Sequence, residues 1–285
     1  MQKDIIRVLK YFHFFSYSPN FKEIHTFLNI KTSKENLHKI TKALISKKKI
    51  TKTGNLYTLG EYSKSKIKSQ KLKVKISHKK LNNYRFRAYI KLISLFPQIK
   101  LIGISGSIAI NNAKIDDDID LFIITSQSRL WSARFLCVLI AWLLGIKRLR
   151  LENNPSSKVC LNLFFEETNL KVSKNKQNYY IAHEIVQMVP LVTKDQIYTR
   201  FLAKNIWVNI IFPNFRIKNI TKVKTSSKTH YLNKIGDKLE KKLKEFQLSF
   251  INRHKTKEII TNTQLWFFPN DFEEELPSFA RKKVS

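Results

Sequence analysis

The chain has 285 residues, 43% hydrophobic and 12% aromatic, which excludes general disorder and allows one large domain or a main domain with attachments. With 53 Lys+Arg against 21 Asp+Glu the formal net charge is +32, and only 6 Gly and 7 Pro argue against long flexible linkers. Such a charge attracts polyanions by counterion release, which makes nucleic acid a candidate partner, although a coding bias toward Lys, Asn and Ile produces the same excess.

The first residues, MQKDIIRVLKYF, are charged and lack an apolar signal core, so a cytoplasmic protein is expected. Ile5, Ile6, Val8, Leu9 and Phe12 recur at helical spacing, and a second apolar helix covers Phe21 to Leu28. Thr32-Ser33 with Glu35 opens a third helix, its inner face marked by Leu37, Ile40, Ala43, Leu44 and Ile45. ITKTGNLYTL then alternates polar and apolar around Gly54-Asn55, as a two-stranded hairpin does. Three short helices and a hairpin over residues 1–62 resemble a winged helix-turn-helix. That resemblance implies a third helix entering a DNA groove, with Lys34, Lys39, Lys42 and Lys47–Lys49 on phosphates. A docking or dimerisation module has the same pattern, and the oligomeric state is left open.

Residues 63–80 are basic and poor in aromatics, the composition of a linker or a solvated helix. A helix follows from Asn82 and ends before Pro97; strands and helices then alternate over 81–213, which suggests an α/β domain. Strands are expected at 99–105, 118–125 and 158–165, helices at 129–145 and 176–188, and helix again to about 213. The apolar run LWSARFLCVLIAWLLGI (130–146) is interrupted by Arg134 and is short of a span, so a buried helix and no membrane association are expected. Cys137 and Cys160 lack metal-ligand spacing and read as small core residues in a reducing compartment. Residues 214–285 form a helical C-terminal extension: a basic Ser/Thr-rich loop at 216–231, then an amphipathic helix over 232–253 carrying Leu232, Ile235, Leu239, Leu243, Phe246 and Phe250. An acidic patch, Asp271 to Glu275, follows, and Asn252-Arg253-His254-Lys255 carries no motif.

The informative stretch is KLIGISGSIAINNAKIDDDIDLFIIT (100–125). An apolar strand ends in Gly106-Ser107, a helix starts, and a second strand begins with Asp118-Ile119-Asp120, whose two carboxylates share one face. Paired carboxylates resist joint ionisation unless a cation neutralises them, and hard divalent ions prefer such oxygen ligands. A Gly-Ser turn at a helix start offers free N–H groups and a hydroxyl to phosphate. The stretch resembles the DNA polymerase β-like nucleotidyltransferase superfamily, with Gly-Ser, ten intervening residues and Asp-x-Asp, and is nearest to its minimal-type domains. Ser105 stands where that pattern has an apolar residue.

The resemblance implies an α+β fold with a mixed-sheet nucleotidyltransferase domain over 81–213, which moves a nucleoside monophosphate from an NTP to an acceptor, Mg²⁺- or Mn²⁺-dependent, releasing pyrophosphate. Gly106 and Ser107 would bind the nucleotide, and Asp118 and Asp120 the metal. The superfamily's third carboxylate falls at Asn162, a carbonyl ligand that cannot act as a base; Glu166, further along the same strand, is the candidate to replace it in catalysis. Lesser candidates are Asp116 and Asp117 in the acidic turn, His183 and Glu184 on IAHEIVQM, and Arg129, Arg134 and Lys114 near a triphosphate. The alternative is a nucleic-acid-binding regulator with a vestigial transferase domain.

Overall fold

A computed structural model describes residues 1–60, 64–149, 156–217, 234–253, 256–267 and 275–281. The expected loop at 216–231, the Asp271–Glu275 patch and the His254-Lys255 pair therefore lie wholly or largely outside the described residues.

The N-terminal segment folds as the pattern predicts, with α1 (Gln2–Phe14), α2 (Phe21–Thr26), α3 (Lys34–Ser46) and the antiparallel hairpin β1 (Ile50–Thr53) and β2 (Leu56–Leu59). Asn20 caps α2 in a reciprocal box with Glu23, and Ser33 caps α3 at the Asn36 N–H. Gly54, at φ +58°, takes the first of the two loop positions between the strands, where a side chain would be strained.

Residues 63–80, expected as a linker or a solvated helix, form α4 (Lys64–Leu81), which is anchored to its neighbours and not simply solvated. Periodicity misses its inner face because groups it turns inward are polar. The Gln70 amide joins the Ser18 backbone, Ser77 Oγ accepts from the Ala113 N–H, and Lys80 Nζ donates to the Ile115 and Asp117 carbonyls. Each buried polar group thus finds a partner, which removes the cost of desolvating it.

The α+β reading holds at the level of the sheet. It has six strands in the order β6 (Val189–Thr193), β3 (Ile99–Ile104), β4 (Ile119–Thr125), β5 (Val159–Glu166), β8 (Gln264–Trp266) and β7 (Ile259–Ile260). Only β4 and β5 run parallel, joined through α7 (Leu130–Leu143); the remaining pairs are antiparallel, making the sheet mixed. Two differences from the sequence reading stand out. VPLVT forms β6 where helix was expected, its Pro190 at the sheet edge where a missing N–H costs little. The C-terminal region is not purely helical: it contributes β7 and β8, and Leu265 and Trp266 of β8 are buried on opposite faces of the sheet.

One face of the sheet, with Ile102, Ile104, Leu121, Ile123 and Phe164, packs with α5 (Tyr84–Ser94) and α7. The other face, with Leu101, Phe122, Ile124, Phe165 and Trp266, packs with α8 (Tyr179–Gln187) and α9 (Ile197–Lys204) in a core continuous with the N-terminal helices. His183 on α8 joins the two parts, stacked between the rings of Tyr11 at 3.8 Å and Phe27 at 4.1 Å. Asn214 adds backbone-directed bonds to Ile30 and Thr32.

Helix α11 (Lys234–Asn252) packs on α7 with several polar groups, and its Leu248 and Ile251 lie against the core of that face. Glu240 accepts the Trp131 and Ser132 N–H groups that the first turn of α7 leaves unbonded; Asp237 pairs with Arg129, and Gln247 bridges Arg134 Nη1 and the Trp131 carbonyl. Ile235, Leu239, Phe246 and Phe250, part of the set that makes the helix amphipathic in sequence, face outward.

Candidate active site

Asp118 and Asp120 stand at the start of β4, directly beside the turn from β3 into the short helix α6 (Gly106–Ala109). Gly106 makes that approach possible. Its φ is +65°, a region side chains avoid, and a Cβ there would lie 2.6 Å from Asp120 Oδ2. A larger residue here would strain the backbone and push the Asp120 carboxylate aside.

The acidic turn is held from two sides. Ser107 Oγ donates to Asp117 Oδ2 at 2.7 Å, and the Lys114 N–H donates to the same oxygen at 3.0 Å. From behind, Lys80 grips the carbonyls of residues 115 and 117. Ser107 and Asp117 therefore shape the loop, while Asp116 is exposed and does not join the carboxylate pair.

Around Asp118 and Asp120 the structure collects groups from three other elements. Arg148 Nη1 reaches Asp118 Oδ2 at 2.5 Å and Cys160 Sγ at 3.6 Å. Asn162 Nδ2 donates to Asp120 Oδ1 at 3.1 Å, and the Cys160 thiol donates to Asn162 Oδ1 at 2.9 Å. Ligand atoms of Asp118, Asp120 and Cys160 lie within 4.8 Å of one another. From α8, Glu184 Oε2 accepts the Gly106 N–H at 3.2 Å.

Burial, then the charges of Asp118 and Glu184, push the Asp120 carboxyl far above the usual carboxylate range, against Arg148, which lowers it. Burial likewise pushes Glu184 up to about 7, partly offset by its bond from Gly106. Negative charge has thus been gathered faster than positive charge, and a cation would relieve it. The donors suited to one are carboxylate oxygens and the Asn162 carbonyl, the set hard divalent ions take. Cys160 is no thiolate ligand as it stands, because burial and both aspartates push its thiol well up.

These groups border one end of a cavity of about 450 Å³ between the sheet and α8–α9. Ser105, Gly106, Asp118, Asp120, Arg148, Asn162 and Glu184 line the polar end. Phe122, Leu163, Phe165, Met188, Phe201 and Trp266 line the rest, with Lys176 and Lys257 also on its border.

The expected site residues separate accordingly. Gly106, Asp118, Asp120 and Asn162 come together. Glu166 does not: a bulge in β5 sets Asp120 opposite Cys160 but Phe122 opposite Leu163. Asn162 and Leu163 both face the cavity as a result, alternation slips by one residue, and Phe165 takes the face assigned to Glu166. Glu166 sits at the far end of the strand, opposite Thr125, accepting from the Ser128 N–H and Thr168 Oγ1. Arg129 and Arg134 belong to the α7–α11 contact, Lys114 is exposed, and His183 is enclosed by aromatic rings. Glu184, weighed as a helix-end contact, reaches the site from α8; Arg148 and Cys160 carried no pattern in the sequence that could have marked them.

No protein-family model, curated protein or solved structure matches the chain.

Proposed function

We propose that the protein is a divalent-cation-dependent nucleotidyltransferase, passing a nucleoside monophosphate from an NTP to an acceptor hydroxyl with pyrophosphate released. One observation carries the reading: a glycine at positive φ lies against the half-buried Asp120, whose carboxyl is gathered close to that of Asp118, two residues before it. A site of this kind keeps backbone N–H groups and clustered acid within reach of one ligand, which suits a polyphosphate bridged by a cation.

Asp118 and Asp120, with the Asn162 carbonyl, would hold Mg²⁺ or Mn²⁺, and a bound cation would offset charge on the phosphates. The chain's own groups do the rest. The Gly106 turn admits phosphate close to the main chain. Arg148, now paired with Asp118, supplies a cation at the cavity's polar end. The acceptor oxygen forms its bond to the α-phosphorus, the bond from that phosphorus to the pyrophosphate oxygen breaks, and the hydroxyl proton passes to a base. Glu184 is the carboxylate positioned for that proton, with a pKa near 7 suited to giving and taking it. It replaces Glu166 in that role. Incubation with each α-labelled NTP, Mg²⁺ or Mn²⁺ and a cell lysate tests the reading. Label transfer lost in Asp118→Ala/Asp120→Ala supports it, and absence of transfer by the wild type under every condition counts against it.

A second reading, binding of nucleic acid through a winged-helix-like N-terminal unit, rests on the outward face of α3. Lys34, Lys39 and Lys42 are exposed there, with Lys47–Lys49 just beyond. If these contact phosphates, Lys39→Glu/Lys42→Glu weakens duplex DNA binding and flattens its salt dependence; unchanged binding argues for adventitious charge.

A further inference from the structure

Beyond the carboxylates six apolar side chains form a wall of the cavity, and we infer that its occupant there is a small hydroxylated acceptor with an apolar body, not the nucleobase. This rests on the nucleotidyltransferase reading for the hydroxyl's fate, but the apolar wall stands without it. Phe122, Leu163, Phe165, Met188, Phe201 and Trp266 come from β4, β5, β8, α9 and the residue after α8, and together floor the cavity. Five of the six are buried, Leu163 partly so, and the Trp266 indole N–H is already spent on Gln264 Oε1 at 3.3 Å. A purine or pyrimidine carries donors and acceptors around its edge, and burying them against such a wall leaves them unpaired at a cost in affinity. An aromatic or alicyclic body loses nothing there. About 450 Å³ lies within the range of small-ligand pockets. The acceptor seated this way turns its hydroxyl toward Asp118, Asp120 and Glu184, and the nucleoside of the NTP lies outside the apolar chamber.

2-Naphthol is a suitable probe, measured by calorimetry on the full chain with and without adenosine. We expect saturable binding, weakened at least tenfold by Leu163→Trp, which fills the chamber, and no displacement by adenosine. The Asp118→Ala/Asp120→Ala chain, which keeps the apolar wall but loses partners for the hydroxyl, still binds naphthol saturably, with affinity lowered by no more than about tenfold, the worth of one hydrogen bond, while losing Mg²⁺-dependent NTP binding. Absence of naphthol binding by wild type and the double variant overturns the inference, as does displacement by adenosine or unchanged affinity in Leu163→Trp. Naphthol binding without any NTP binding sinks the transferase reading and leaves the apolar ligand standing.

Discussion

Asn162 donates its amide N–H to Asp120 Oδ1 at 3.1 Å, so a neutral group, not a carboxylate, stands against that aspartate. In the absence of a cation this arrangement spares the site a further negative charge. Asn162→Asp therefore destabilises the metal-free protein by about 1–3 kcal/mol, through a lost hydrogen bond and like-charge repulsion. Mg²⁺ or Mn²⁺ at millimolar concentration restores most of the loss in a thermal melt. A loss independent of added cation argues that these groups hold no metal.

Gly106→Ala tests the close approach to Asp120, and Gly60→Ala is its internal control. Both glycines have φ of +65°, but a Cβ at Gly60 meets nothing within 4 Å. The control carries only the backbone penalty, about 1 kcal/mol. Gly106→Ala exceeds it by about 1–3 kcal/mol in urea denaturation and loses metal-dependent NTP binding. Equal costs at the two positions contradict the tight packing of Gly106 on Asp120.

Glu184 makes stability depend on pH. Its folded pKa of about 7 lies above the ordinary 4.5, so below about 4.5 both states are protonated and the contribution is complete. As pH rises through 7 the unfolded chain has released a proton that the folded one releases late, and the contribution disappears, on the order of 3 kcal/mol. The advantage of wild type over Glu184→Gln in metal-free buffer accordingly shrinks between pH 4.5 and 7.5. A constant difference across that window overturns the assignment.

His183 has the opposite sign. Burial lowers its pKa well below 6.5, and neither ring nitrogen has a hydrogen-bond partner among the described residues. Stability is lost as pH falls below 6.5, where the unfolded chain takes up a proton that the buried ring refuses. His183→Phe keeps the stacking on Tyr11 and Phe27 and raises the thermal midpoint, more at pH 5 than at pH 8. A larger gain at pH 8 contradicts a neutral buried ring.

The parts of this fold legible in sequence are those governed by local periodicity. Ile5, Val8, Leu9 and Phe12 announce α1, and the alternation around Gly54 announces the hairpin. Asp118 and Asp120 are legible because two residues along a strand necessarily share a face. What stayed hidden depends on contacts distant in sequence or on one-residue irregularities. The β5 bulge moves Glu166 off the cavity face and cannot be read from VCLNLFFE. Glu184 reaches Gly106 across 78 positions, and α4 has polar anchors where periodicity looks for apolar ones. Helix α11 departs from its sequence pattern, since Glu240 and Gln247 serve α7 beside the inward Leu248 and Ile251, while Phe246 and Phe250 stay outside.

The central claim is that Asp118 and Asp120 hold a divalent cation together with an NTP. Titration of Mn²⁺ followed by electron paramagnetic resonance, with a non-hydrolysable NTP present, measures this directly because bound ion loses the free-ion signal. The account predicts nucleotide-enhanced Mn²⁺ binding by the wild type and its loss in Asp118→Asn/Asp120→Asn of unchanged fold. Equal Mn²⁺ binding by the two proteins, or none by either with nucleotide present, would contradict it.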